Sequence, residues 1–193
     1  MIIKLDTDRK TLAINNIKTD AEIEEISFNN LTLKLPIPTI ATELAKYRGS
    51  MEYEGIVAVI QEWYYGHIER SAWCATTISY FANQLGILDQ FGGKSNNVYD
   101  MMLKCERVSP KQFYSKHDIP TEILKDDILF MMWDNGQMTH NSNKHVCVAE
   151  YASKGDTFFG IGGNQKDKIC TLKYERDNIY ALFRPNYGKA LGF

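Results

Sequence analysis

Four cysteines in 193 residues are too few for a disulfide framework. None of Cys74, Cys105, Cys147 and Cys170 belongs to a CxxC pair, so neither a zinc cluster nor a thioredoxin-type redox centre is signalled, and no metal or cofactor is expected. An excess of charge is lacking too. Lys+Arg 22 against Asp+Glu 24 leave a formal net charge of −2, without the basic surplus that phosphate backbones select, which argues against a nucleic acid partner. No stretch approaches the roughly 20 apolar residues of a membrane span, and MIIKLDTDRK brings charge before a secretory apolar core can form. The expectation is synthesis in the cytoplasm without a signal peptide; action outside that compartment requires release, injection or carriage in a virion. There is no internal repeat and no low-complexity tract. With 44% hydrophobic and 24% charged residues the composition is globular, and a chain of this length buries about 70% of its unfolded surface, enough for one sizeable core.

What is present falls into three parts. Residues 1–37 carry short β-like runs, IIKLD, TLAINNI, IEEISF and LTLKL, the last two around Asn29-Asn30, and predict a β-rich N-terminal extension that can dock on a partner. Pro36-Ile37-Pro38 marks the boundary with residues 38–193. Helices are predicted over Ile40–Tyr47, about Glu52–Tyr64 and Cys74–Leu85, with a shorter run around Tyr99–Leu103 and a polar connector after Pro110. On the third, Cys74, Ile78, Phe81, Ala82 and Leu85 share one face. From Asp127 the period changes to two through DILFMMW, HVCVAEY, TFFGIGG, KICTLKY and IYALFRP, which predicts five strands in an antiparallel meander. Helices first and a sheet afterwards make the chain α+β, with helices packed on one side of the sheet.

Cys74 opens a half-buried helix. Unpaired N–H groups and the macrodipole at a helix N-terminus favour a thiolate and can hold an oxyanion, so the placement suits a nucleophile; a buried apolar thiol extending the core face is the plainer reading. His145 opens a strand 145 − 74 = 71 residues later and is positioned to act as base and thiolate counter-ion; alone, it reads as a strand-end histidine in water. Asn164, in the Gly162-Gly163-Asn164-Gln165 turn, can accept the second ring N–H of His145, and GGNQ is equally a turn rich in positive-φ residues. His140, in the polar loop 138–143, is the alternative base. Trp63, Tyr64, Tyr65 and Trp73 form an aromatic group near the nucleophile, of which Tyr65 and Trp73 can line a substrate cleft.

Ser71-Ala72-Trp73-Cys74-Ala75-Thr76-Thr77-Ile78-Ser79-Tyr80 resembles the "PWCAxFVSW" stretch of CHAP-like and NlpC/P60-like cysteine hydrolases of bacterial cell walls. Lys125-Asp126-Asp127-Ile128-Leu129-Phe130 is similar to their "xGDIVxF", His145-Val146-Cys147-Val148 to "HVGIV", Gly162-Gly163-Asn164-Gln165 to "GGNQ", and Tyr180-Ala181-Leu182-Phe183-Arg184-Pro185 to the closing "GYRRP". All five come in family order and cover about residues 40–186. The resemblance implies a papain-like fold and hydrolysis of an amide bond in peptidoglycan, within the stem peptide or between it and the glycan, with Cys74 as nucleophile, His145 as base and Asn164 as orienting residue. The chain departs from the pattern at Asp126 and Cys147, where the family has glycine, and at Gly162, where many CHAP domains have glutamate. Cys147 keeps phase with His145 and is read as packing. Two other readings stand beside the wall hydrolase: a catalytically silent or structural papain-like module on a phage or secretion assembly, and a thiol hydrolase of a non-wall amide.

Overall fold

The computed structural model describes residues 2–6, 11–15 and 37–188. Two compact units divide the chain, Met1–Pro36 and Ile37–Phe193, one residue from the expected boundary. In the first, β1 (Ile2–Asp6) and β2 (Thr11–Asn15) pair antiparallel, with Ile2 opposite Asn15 and Asp6 opposite Thr11. The runs IEEISF and LTLKL lie outside the described residues.

The second unit is α+β. Its described residues form four α-helices and a six-stranded antiparallel sheet: α1 (Ile40–Lys46), α2 (Gly55–Tyr65), α3 (Cys74–Gln84), α4 (Val98–Val108), then β3 (Phe113–Ser115), β4 (Ile128–Met132), β5 (Lys144–Ala149), β6 (Thr157–Gly162), β7 (Cys170–Glu175) and β8 (Ile179–Phe183). Thr39 starts α1 through a capping box: its hydroxyl accepts from the Thr42 N–H at 3.2 Å, and the Thr42 hydroxyl accepts from the Thr39 N–H at 2.8 Å. Gly66, at φ 80°, ends α2. No helix among the described residues is long and apolar enough to cross a membrane.

The strand order, β3-β8-β4-β5-β6-β7, corrects the expected meander. β8 returns across the sheet to pair with β4, and Phe113–Ser115, read from sequence as connector, adds an edge strand on its far side. Burial explains the swap. Ile179, Ala181, Leu182 and Phe183 of β8 are buried and need neighbours on both sides, whereas β7 exposes Lys173 and Glu175 and can form an edge. Alternate residues of the central strands feed two cores. Ile128, Phe130, Val146, Val148, Ile161 and Phe183 pack with Leu44, Ile60, Ile78 and Met101 of the helices, while Leu129, Met131, Cys147, Ala149 and Leu182 form a second core with Ile123 and Phe158.

The first and last strands of the resemblance meet. Asp127, 1% exposed at its side chain, takes Nε and Nη2 of Arg184 at 2.7 and 2.9 Å and the Leu124 N–H at 2.8 Å. Arg184→Met leaves a buried carboxylate without its cation. The Arg184 side chain is 31% exposed, which places the expected loss below that of a fully buried pair, about 2 kcal/mol in urea denaturation. An unchanged midpoint would contradict this. Asp126 has φ 73° and accepts the Thr39 hydroxyl at 2.6 Å, tying the start of α1 to the entry of β4.

Candidate active site

Cys74 is the first residue of α3, and no side chain caps that helix. Its first-turn N–H groups therefore remain available to the sulfur or to an anion beside it. The thiol belongs to the helix-side core and is 4% exposed. Burial pushes its pKa up, and the main-chain N–H groups of Val146, Ala75 and Cys74, with Lys144, pull in the other direction without overcoming it. The expected thiolate is thus corrected to a protonated thiol, because a helix N-terminus acts here on a group already withdrawn from water.

The influence of Val146 follows from the sheet. Ala149 donates its N–H to the Asp127 carbonyl on the β4 side, so by alternation Val148 and Val146 direct theirs toward β6. The β5–β6 register holds only two pairs, Val148 with Ile161 and Ala149 with Gly160. Past them no ladder pair engages Val146, and its N–H is close enough to the Cys74 sulfur to favour the charged form.

His145, next to Val146 and opposite Met131, is 8% exposed. Desolvation lowers its pKa to about 4, and its Nε2 is buried without a hydrogen-bond partner among the described residues. The imidazole is neutral at neutral pH. An imidazolium–thiolate pair, expected from sequence, is not formed: both groups are neutral, no hydrogen bond or charge interaction joins them among the described residues, and by strand alternation His145 shares the second-core face of Cys147 and Ala149 whereas Cys74 belongs to the helix-side core.

Continuing the β5–β6 register by three positions would set residue 145 opposite 164. The chain leaves β6 at Gly162, Asn164 turns at φ 58°, and no hydrogen bond joins its side chain to His145 among the described residues. The ring that packs on the imidazole is Tyr174, with centroids 6.2 Å apart and planes at 33°. Tyr174 donates its hydroxyl to Gln165 Oε1 at 2.5 Å, and Gln165 Nε2 donates to the carbonyls of Gly160 at 3.3 Å and Cys170 at 2.8 Å. Gln165 belongs to the GGNQ turn, but its role depends on Tyr174, nine residues on, which no spacing in the sequence singles out.

The glycines of this stretch make room for that arrangement. A Cβ on Gly160 would lie 2.5 Å from Cys147 Sγ and 3.2 Å from the Tyr174 ring; on Gly162, 2.8 Å from Gln165 Nε2; and on Gly163, 2.4 Å from Thr77 Oγ1 and 2.6 Å from the Trp73 ring. Cys147 packs in the second core, as its phase suggested.

Of the two expected cleft aromatics, Trp73 is withdrawn from any surface. Trp73 is fully buried, with its indole N–H on Glu52 Oε1 at 3.2 Å, because its ring fills the space against Gly163. Tyr65, half-buried at the end of α2, bonds Ser71 at 3.2 Å and packs edge-on to Tyr64; no hydrogen bond or ring contact joins it to Cys74 or His145 among the described residues. An exposed ring does stand near the imidazole: Trp133, 42% exposed, lies 6.2 Å from the Tyr174 ring on the side of β4 that continues past His145. His140 sits on α4, with Nε2 2.9 Å from Asp100 and its ring edge-on to Tyr99 at 5.0 Å. Among the described residues no group of three or more His, Cys, Asp and Glu side chains is placed to hold a metal. Compared with family models, with curated proteins and with solved structures, the chain has no match.

Proposed function

We propose that the second unit is a papain-like cysteine hydrolase that cleaves an amide bond of peptidoglycan by acyl transfer. The observation that carries the reading is the thiol at the uncapped start of α3, where the N–H groups of Val146, Ala75 and Cys74 favour its charged form; the assignment of His145 as base rests on the order of the motifs. The choice of peptidoglycan rests on the ordered motifs in residues 40–186.

In this mechanism Nε2 of His145 takes the thiol proton as Cys74 Sγ attacks the scissile carbonyl. The N–H groups of Cys74 and Ala75 face the oxyanion as the tetrahedral intermediate forms. The amine leaves with the proton from His145, and water, deprotonated by the same ring, releases the acyl group and restores the thiol. His145 starts neutral at any pH well above 4, so the base form is always present in neutral solution. No step needs a cofactor. Action on the wall then follows release, injection or carriage in a virion.

A module that has kept the fold without catalysis is the second reading, and the burial of Cys74 favours it. Digestion of purified sacculi of several wall types separates the two. The hydrolase releases soluble fragments carrying new amino groups; absence of release from every wall type would overturn the proposal.

A further inference from the structure

A cleft of about 370 Å³ lies between α4, the edge strand β3, the start of β8 and the β4–β5 loop at Gly136–Met138. Its floor is apolar, from Met102, Met138 and Ala181. Its walls carry opposite charges. Glu106 on α4 stands on one side, Lys116 and His117 after β3 on the other, all exposed, and no ion pair or hydrogen bond engages any of the three side chains among the described residues. The volume falls within the range of small-ligand sites.

The registers give the cleft its place. Ser115 pairs with Ala181, Ile179 with Met131, and Met131 with His145. The end of β3, the start of β8, the end of β4 and the start of β5 therefore share one end of the sheet. From β5 to β8 is two strand spacings, about 10 Å, a distance that an extended peptide covers in about three residues.

On the hydrolase reading, we infer that this cleft is a substrate subsite for a peptide residue bearing both a free ammonium and a free carboxylate, about three residues from the bond cut. Glu106 faces the ammonium, Lys116 and His117 face the carboxylate, and the aliphatic part of the residue lies on the floor. Charges that do not neutralise each other across a narrow cleft suit a ligand that carries both signs.

Equilibrium binding to the full-length Cys74→Ala protein tests this without requiring turnover. The probe is the tripeptide alanyl-γ-D-glutamyl-lysine, compared with its Nε-acetyl and C-terminal amide forms and titrated by NMR. Glu106→Gln is expected to weaken binding of the free tripeptide about three- to fivefold and to leave the acetylated form unchanged, while Lys116→Met does the same for the carboxylate and spares the amide. Equal affinity for all three peptides, or equal losses in both variants for every peptide, overturns the subsite. Charge-selective binding by a protein whose wild type releases nothing from sacculi would uphold the subsite and overturn the hydrolase, and release without charge-selective binding would do the reverse.

Discussion

Cys74→Ala is expected to lower fragment release from sacculi at least about a thousandfold, because every covalent step of the proposed reaction passes through that sulfur. The residual rate is what bound water and positioning supply alone. Cys74→Ser sharpens the test. It nearly preserves volume at a site that is 4% exposed, so it keeps the fold, as a melt can verify. Yet serine is far less acidic than cysteine, and a neutral imidazole with a pKa of about 4 is a weak base for it. Both variants should therefore be inactive, and an active serine variant would show that the His145 ring is not the proton acceptor. Equal release by wild type and Cys74→Ala would exclude the thiol mechanism while leaving the fold untouched.

Acidification supplies the second large effect. His145 has a folded-state pKa of about 4 against an ordinary value of 6.5, so between those limits the unfolded chain binds the proton and the folded one does not. Stability from this group is complete above pH 6.5 and is lost as pH falls toward 4, amounting to about 3 kcal/mol, or somewhat more than a hundredfold in the folding equilibrium. Asp126 works in the opposite sense above its ordinary carboxylate value, since burial raises its pKa and folding then favours its protonated form. The decisive comparison is between wild type and His145→Leu by urea denaturation across pH 4 to 7. The variant should lose the slope that the wild type shows, and parallel profiles would mean that the imidazole is more hydrated than its 8% exposure implies.

The elements that carry the candidate residues were legible in the residues themselves, but their mutual placement was not. The start of α3 at Cys74 follows from the apolar spacing behind it, and the period-two runs mark β4 to β8 close to where they form. Strand order was not legible, because neighbouring β4 with β8 is decided by which strand must be buried on both flanks, a property of the assembled sheet. The same limit applies to Asp127 and Arg184, which lie 57 residues apart and become partners only when those strands meet. Acidity went astray for a different reason. Helix geometry predicts the sign of the local field at Cys74, but the opposing desolvation depends on how deeply the whole chain covers the sulfur. The orienting role assigned to Asn164 failed on backbone conformation, since its left-handed turn ends the strand that would have aimed it at His145.

A missing rung in a β-ladder ordinarily strands an amide, and folds tend to close such gaps with water or a side chain. Between β5 and β6 the ladder stops short of Val146, and the Cys74 sulfur at the start of α3 is near enough to feel the freed N–H. The sheet is thus two leaves joined along a short seam, two register pairs and the Glu150 N–H on the Phe159 carbonyl at 2.9 Å, with His145 on one leaf and the Gly162–Gln165 turn following the other. The sulfur stands where the leaves diverge, so a shift of one leaf against the other would change its covering without breaking the ladders within either leaf.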